Sequence, residues 1–410
     1  MDSARGARAR MVDALRRDGR LRSEAVARAM GEVPRHLFLP ESTVETAYAD
    51  AAVVTKHAGG VAVSSASQPS MVAIMLEQLD LRPGQRVLEI GAGTGYNAAL
   101  MAHLVGPEGS VTSVDIDDDL VVSAAAHLEA AGSGDVTLVV ADGAAGHPPG
   151  APYDRIVLTV GSADVRPEWV GQLAPGGRLL LPLRVRGSQV SVAFDLGGDG
   201  VLRSSSVRAC AFIRLRGIGA GPDAAVTLGA GWTADPVVDH TAVEGNGAGD
   251  LSTSLRAALG LPGAERELGI RLSPADVWDG LGLWLSLAEP STVRLVARDD
   301  AAGSAAADGF VDVGGARVAL VLPGPTGGFA AIVQDPDGGP ARVRDHGAPG
   351  PGPAEVLAAL VEGWVAAGRP QAADLRIRAR PRDASVSVGP GEVTVELGST
   401  TLAVTMTTLG

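Results

Sequence analysis

Apolar residues return along this chain of 410 residues in two rhythms. Near the N-terminus Met11, Leu15, Ala25, Val26 and Met30 recur at helical spacing among arginines, which predicts helices over residues 2–30. The stretch VPRHLFLP, Val33 to Pro40, interrupts them, because a proline disfavours helix in the residue before it. From about residue 70 to 183 the pattern changes. Short runs that are apolar and mostly β-branched (RVLEIGAG, SVTSVDI, VTLVVADG, RIVLTVG and GRLLLPL) read as buried parallel strands. Helical segments lie between them: Met71–Leu79, Tyr96–Val105, Leu120–Ala131 and Pro167–Leu173. This alternation predicts an α/β fold with a Rossmann-like, doubly wound sheet.

Past residue 217 the rhythm dissolves into Gly/Ala-rich connections, GIGAGPDAAVTLGAG and HTAVEGNGAGD. It resumes with FVDVGGARVALVL, a hairpin turning at Gly-Gly. A helix follows, PAEVLAALVEGWVAAG, in which Val356, Leu357, Leu360, Val361 and Trp364 form one apolar stripe. LRIRAR and EVTVEL read as closing strands, and GAPGPGP (347–353) as a loop. The chain thus divides into an N-terminal helical region (1–60), the Rossmann-like domain (61–217) and a C-terminal α+β domain (218–410) suited to peptide recognition. Trp232, Trp278, Trp284 and Trp364 read as core of that last domain.

Composition narrows the function. Apolar residues make up 46% of the chain but aromatics only 3%, so Ala, Val, Leu and Gly do the packing. A net charge of −13 and the lack of a basic stripe argue against a nucleic-acid partner. Arg5, Arg8, Arg10, Arg16, Arg17, Arg20 and Arg22 crowd the N-terminus, either as a solvated helix face or as a contact for an acidic peptide. Lys56, the sole lysine, and His57 leave the same choice open. Cys210 is the sole cysteine, read as a buried strand residue, so no intrachain disulfide forms. The seven histidines lack metal-ligand spacing, and no metal is expected. No run approaches the roughly 18 unbroken apolar residues of a membrane span. With no signal-peptide core at the N-terminus, the expectation is a cytoplasmic protein without a membrane partner.

The candidate chemistry sits at the end of the first buried strand. VLEIGAGTGYN places Gly91, Gly93 and Gly95 between strand and helix, where glycine permits a tight turn and close approach of a ligand. Glu89 stands two residues before the first glycine, and Asp115 twenty residues after the last, where a carboxylate accepts ribose hydroxyls. The triplet Ala141–Asp142–Gly143 ends the third strand and sets Asp142 where an adenine amino group donates. The glycine spacing lacks the last glycine of the dinucleotide fingerprint. Together with Glu89 it favours S-adenosyl-L-methionine over NAD, with the acid facing the amino-acid end directly or through water.

SASQPSMVAIMLEQLDLRPGQRVLEIGAGTGYNAALMAHLVG, with VTLVVADG, APYDRIVLTVG and QLAPGGRLLLPL after it, resembles the protein-L-isoaspartate O-methyltransferases. AMGEVPRHLFLP and YADAAV match that family's N-terminal region, so the resemblance spans about residues 25–217. It implies methylation of a peptide carboxylate, usually the free α-carboxylate of an isoaspartyl linkage, with the ester closing to a succinimide. The family carries a G-Q-T-I-S-x-P loop over the methyl donor, whose serine contacts the acceptor. Aligned on Gln68 and Pro69, Ser67 takes that serine's place and Ser65 the threonine's. Read without the resemblance, Ser67 and Ser70 also suit a helix N-cap ahead of Met71.

Val63 and Ser64 stand where the family has Gly-Gln, Ser70 where it often has histidine, and Gly161–Asp164 where it has Ala-Ala-Ala-Pro. These are expected to wall the acceptor pocket. The long extension resembles peptide-aspartate methyltransferases of actinobacterial ribosomal-peptide pathways of lanthipeptide or graspetide type. That implies an aspartyl acceptor in a modified precursor peptide; the alternative is repair of isoaspartyl proteins. A tRNA methyltransferase and a non-catalytic peptide-binding protein on this fold are the remaining rivals. The acidic charge argues against the first, and the intact Glu89, glycine loop and Asp115 against the second.

Overall fold

The computed structural model describes residues 2–221, 226–229, 231–236, 247–298, 301–303, 305–313, 315–325, 327–347, 352–384, 389 and 391–406. The N-terminal arginine-rich segment forms α1 (Asp2–Arg17) and α2 (Glu24–Glu32). Ala4, Ala7, Met11 and Leu15 bury one face of α1, leaving Arg5, Arg10 and Arg17 in solvent. Ser23 caps α2 by accepting from the Val26 amide. A short α3 (Val44–Tyr48) leads into an antiparallel hairpin, β1 (Val53–Ala58) and β2 (Val61–Ala66), which turns at Gly59 and Gly60 with φ of 57° and 80°. The expected boundary at residue 60 therefore falls inside a hairpin, and the serine-rich stretch ahead of the glycine motif is largely strand.

The expected Rossmann-like fold follows. Helix α4 (Pro69–Leu79) opens with proline at its first position, where no amide hydrogen is needed. Then come β3 (Arg86–Ile90), α5 (Tyr96–Val105), β4 (Ser110–Asp115), α6 (Asp118–Ala130), β5 (Thr137–Val140), β6 (Tyr153–Leu158), a one-turn α7 (Pro167–Val170) and β7 (Leu173–Val185). Strands β7, β6, β3, β4 and β5 lie parallel in that order, so the chain reverses its direction of sheet growth beside β3. The loops after β3, β4, β5 and β6 meet at that switch point, where such sheets bind ligands. Val87, Val157 and Leu180 face α1, α2, α4 and α5 on one side; Leu88, Ile90, Ile156 and Leu179 face the other. Both faces are covered, as the continuous apolar runs require.

The sheet then continues antiparallel through β8 (Ser188–Leu196) and β9 (Leu202–Ala209), whose polar-rich sequences are not among the predicted strands. Cys210 is buried as expected, one residue past the end of β9, and burial pushes its thiol far up.

A second, wholly antiparallel sheet holds β10 (Val226–Gly229), β11 (Trp232–Pro236), β12 (Pro262–Glu267), β13 (Val293–Ala297), β14 (Val311–Val313), β15 (Ala316–Pro323), β16 (Phe329–Val333) and β17 (Arg342–His346). The predicted hairpin is β14–β15, with Gly314 of its turn outside the described residues. Most of HTAVEGNGAGD and of GAPGPGP also lies outside them. Helix α8 (Gly247–Ala258) covers one face, while α9 (Leu281–Ala288) and α10 (Pro353–Ala366) cover the other. In α10 the buried stripe is Leu357, Val361 and Trp364, with Val356 turned out to solvent.

The domain expected over 218–410 is not one unit. Strands β18 (Leu375–Pro381), β19 (Val393–Glu396) and β20 (Thr400–Met406) leave the second sheet and extend the first, β18 pairing with β9. Ile377, Leu402 and Val404 bury against the core that holds Val192 and Val207. Helix α9, sequence LGLWLSLA, is apolar nearly all round because it is claimed from both sides. Leu281 and Leu285 pack on the second sheet, Leu283 and Leu287 on the first.

Candidate active site

A cavity opens at the switch point, walled by the loops that follow the parallel strands, by the N-terminal hairpin and by residues of α4 and α5. Gly91, Ala92, Gly93 and Thr94 follow β3; Asp115 and Ile116 end β4; Gly143 follows β5; and Thr159 and Val160 follow β6. Val63 to Ser67 of the hairpin and Phe212 to Arg216 close it from opposite sides.

The glycine loop is held open by its backbone. Gly91, Gly93 and Gly95 all have positive φ, at 104°, 51° and 86°. A Cβ at Gly91 would lie 2.6 Å from Thr159 Oγ1, the hydroxyl that donates to the Gly91 carbonyl. At Gly93 a Cβ would meet nothing closer than Ser64 Oγ at 3.9 Å, so this glycine keeps free the space beneath the hairpin. Gly95 packs instead on Ala124 and Leu128 of α6, behind the cavity.

The carboxylates divide. Asp115 lines the cavity, accepting from the Gly93 amide at 2.9 Å and the Asp117 amide at 3.2 Å. Glu89 does not reach it. Its oxygens accept from Asn97 Nδ2 at 2.8 Å and Ser113 Oγ at 2.5 Å, and the group is fully buried. Burial pushes its carboxyl up to about 7 despite those two bonds. The acid expected to face the cofactor's amino-acid end instead ties β3 to β4 and to α5, and Asn97 takes the place on the wall. Asp142 likewise sits behind the lining, accepting from the amides of Ala144 and Ile218 at 2.9 and 2.7 Å. Gly143 beside it is on the wall, its carbonyl fixed by Trp169 Nε1 at 2.9 Å.

The serine stretch is fixed at both ends. Asp50 accepts from Gln68 Nε2 at 3.1 Å and from the Ser70 amide at 2.8 Å, and so caps α4 from outside the helix. Gln68 and Pro69 thus hold the loop's exit and do not line the cavity. Neither Ser67 nor Ser70 is the cap that local sequence allows. Arg35 Nη2 donates to the Ser67 carbonyl at 2.8 Å. The Ser67 hydroxyl has no protein partner among the described residues and sits on the wall with Ser65. Lys56 on β1 reaches Asp117 and Asp119 at 2.8 and 2.7 Å, so it pins the hairpin rather than standing free for a peptide. Arg216 also pairs with Asp117 at 2.7 Å, and it, before Lys56, holds that carboxyl below its usual range.

Gly161–Asp164, expected to wall the acceptor pocket, turns elsewhere. Gly161 forms a bridge with Arg214, and Asp164 Oδ2 accepts from the Ser399 amide and hydroxyl. Arg35, Asp50, Phe212 and Arg216 were not among the expected site residues. The one local signal is Arg35 itself, a charge amid the apolar VPRHLFLP.

The model of the family Protein-L-isoaspartate(D-aspartate) O-methyltransferase matches residues 6–218. The chain belongs to that family. It is an S-adenosylmethionine-dependent methyltransferase of (iso)aspartyl residues. A protein-L-isoaspartate O-methyltransferase of Hyperthermus butylicus is 41% identical over 221 residues, 52% of this chain and 90% of that one. One of Methanopyrus kandleri is 42% identical over 214 residues, covering 52% and 92%. A solved protein-L-isoaspartate O-methyltransferase structure aligns over 90% of this chain and 96% of its own, at 26% identity and a TM-score of 0.49. The cavity suits the family's methyl donor: Asp115 offers a carboxylate, and Gly93 leaves open space beside it.

Proposed function

We propose that the acceptor is an aspartyl side chain of a modified ribosomal precursor peptide, oriented by Ser67. An aspartyl carboxylate is ionised at neutral pH and needs no general base. S-adenosylmethionine, when bound, supplies an electrophilic methyl on a sulfonium. What remains for the protein is alignment, which positioning can accelerate greatly. The Ser67 hydroxyl is a neutral donor on a backbone fixed by Arg35 and Asp50, so it orients an anion without neutralising it. In the cofactor half of the site, Asp115, Gly91, Gly93 and Gly143 line the wall while Glu89, Gly95 and Asp142 brace it from behind. The ester loses methanol to attack by the next backbone nitrogen, giving a succinimide that opens to aspartate or isoaspartate.

The observation that carries the choice of acceptor is the support behind Phe212–Arg216. Gln189 bonds both the amide and the carbonyl of Phe212. The hairpin that carries Gln189 is met at Gly187 and Ser188 by Arg294 of β13, from the second sheet. The region beyond the family match thus bears on one wall of the cavity, which supports an acceptor more constrained than an isolated isoaspartyl residue. The second reading, repair of isoaspartyl proteins, draws on the family match over residues 6–218.

The test offers labelled donor with an isoaspartyl peptide, its linear aspartyl twin and a macrocyclic aspartyl peptide. Label on the macrocycle supports the biosynthetic acceptor, and label on the isoaspartyl peptide alone sinks it in favour of repair. Ser67→Ala is expected to lower kcat by about 10- to 100-fold, the worth of a hydrogen bond to a charged group, with donor affinity kept. Unchanged turnover would remove the orienting role.

A further inference from the structure

Two buried polar atoms at the serine-loop end of the cavity have no hydrogen-bond partner among the described residues: Arg35 Nη1 and the Tyr96 hydroxyl. They belong to neighbouring side chains. The Arg35 guanidinium lies 4.9 Å from the centroid of the Tyr96 ring, and both residues line the cavity. Arg35 is 1% exposed and Tyr96 3%. The other two nitrogens of Arg35 are spent on carbonyls, Nε on Ala47 and Nη2 on Ser67, both at 2.8 Å. No carboxylate pairs with this guanidinium among the described residues. A cation taken out of water without a directly paired carboxylate is costly, and this one is kept beside a ligand cavity with only the more distant Asp50 to offset it.

We propose that Arg35 and Tyr96 form a buried carboxylate-binding subsite beneath Ser67. Arginine remains a cation here and offers Nη1 as a donor. Burial pushes the Tyr96 phenol up to about 12, so the hydroxyl keeps its proton and donates as well. Two donors on adjoining side chains can serve one anion in the charge-assisted manner by which carboxylates are recognised, and the anion supplies a paired counter-charge. The fixed partners of Arg35 suit this role, because the bond to the Ser67 carbonyl couples the anion site to the position of the Ser67 hydroxyl. The subsite rests on the cavity holding S-adenosylmethionine and a carboxylate acceptor. Each of these carries a carboxylate: the donor's amino-acid end, or the acceptor itself.

The experiment uses the full chain, wild type and with Arg35→Gln or Tyr96→Phe. It measures Kd for S-adenosylhomocysteine, Kd for 5′-methylthioadenosine, which lacks the amino-acid end, and KM for an acceptor peptide. If the subsite holds the donor, both variants weaken S-adenosylhomocysteine by about tenfold or more, and methylthioadenosine stays within twofold of wild type. If it holds the acceptor, both Kd values stay and KM for the peptide rises by about the same factor. Loss of both nucleosides alike, or no change in any of the three, overturns the proposal. Should Arg35→Gln fail to fold, Tyr96→Phe, which removes one hydroxyl and keeps the ring, decides alone. Wild-type protein that binds neither nucleoside sinks the donor-site reading itself, and is thereby distinct from failure of the subsite.

Discussion

The two sheets bury their apolar residues by different means, and only one of them carries the site. In the first, parallel strands β3 to β7 are covered on both faces, and the loops at one end all converge on the cavity. Every described residue on the cavity wall lies between Arg35 and Arg216. In the second sheet neighbouring strands are antiparallel, so successive loops leave from opposite ends and do not gather. The second sheet nevertheless shares α9 with the first, and beyond it the chain returns to the first sheet as β18–β20. An antiparallel layer can thus affect a site that it does not line, through packing and through the wall at Phe212–Arg216.

If that coupling is real, damage deep in the second sheet must be felt in the first. Trp364 is fully buried against α9 and the second sheet, with Nε1 donating to the Pro370 carbonyl at 3.0 Å. Trp364→Ala is expected to cost about 3–5 kcal/mol, the usual loss for a buried aromatic. Thermal unfolding should show one transition, lowered as a whole and raised again by S-adenosylhomocysteine. Two transitions, with the ligand-sensitive one unmoved, would make the sheets independent.

A pair of glycines sharpens the contrast. Gly91→Ala adds a Cβ 2.6 Å from Thr159 Oγ1 at a φ of 104°, and should cost about 2–5 kcal/mol and most of the affinity for S-adenosylhomocysteine. Gly315, at the β14–β15 turn of the second sheet, has a similar φ of 86° but nothing within 4 Å. Gly315→Ala should cost only the backbone strain, about 1–2 kcal/mol, and leave binding untouched. Equal effects of the two on binding, measured by calorimetry, would mean that the loop geometry at Gly91 is not special.

What the sequence reveals follows the same division. Continuous apolar runs and the glycine spacing are local features, and they announce β3 to β7 and the loop after β3. Gly91, Gly93, Asp115 and Ser67 are legible because turn chemistry and the order of motifs constrain them. Glu89 and Asp142 were placed toward the ligand because sequence gives position but not the direction in which a side chain turns. Asn97 and Ser113, which claim Glu89, are polar residues with no pattern of their own. Strands β18 and β19 read correctly as strands but join another sheet, and β20 is not among the predicted strands, since pairing across some 170 residues, as between Arg203 and Arg378, leaves no local trace. The same holds for Arg216, brought to Asp117 by the fold alone.

Glu89 gives the first sheet a pH dependence opposite in sign to that of the second, where burial pulls the His346 imidazole down to about 4. Its folded value of about 7 lies above the ordinary 4.5, so the folded state holds a proton that the unfolded chain releases. The stability from that proton is complete below pH 4.5 and is lost as the pH rises to about 7. The span corresponds to roughly 3 kcal/mol, on the order of 1.4 kcal/mol for each pH unit. Glu89→Gln keeps the bond from Ser113 and removes the titration, and should abolish this fall in unfolding free energy between pH 5 and 7, leaving the rise with pH that His346 contributes. A variant that falls with the wild-type slope would place the proton on another group.

The smallest effect is expected where the end of the chain is fastened. Asp164 Oδ2 accepts from the Ser399 amide at 2.7 Å and the Ser399 hydroxyl at 2.6 Å, just before β20 begins. Asp164→Ala leaves those donors to water at a half-buried site and should cost about 1–3 kcal/mol. The loss should be local: faster amide exchange over residues 399–406, with S-adenosylhomocysteine affinity within twofold of wild type. Asp164 stands where acceptor-pocket residues were expected, so an effect on KM for the acceptor without faster exchange would return it to the site. Faster exchange with KM unchanged makes Asp164 the clasp that keeps the returning strands on the sheet carrying the cavity.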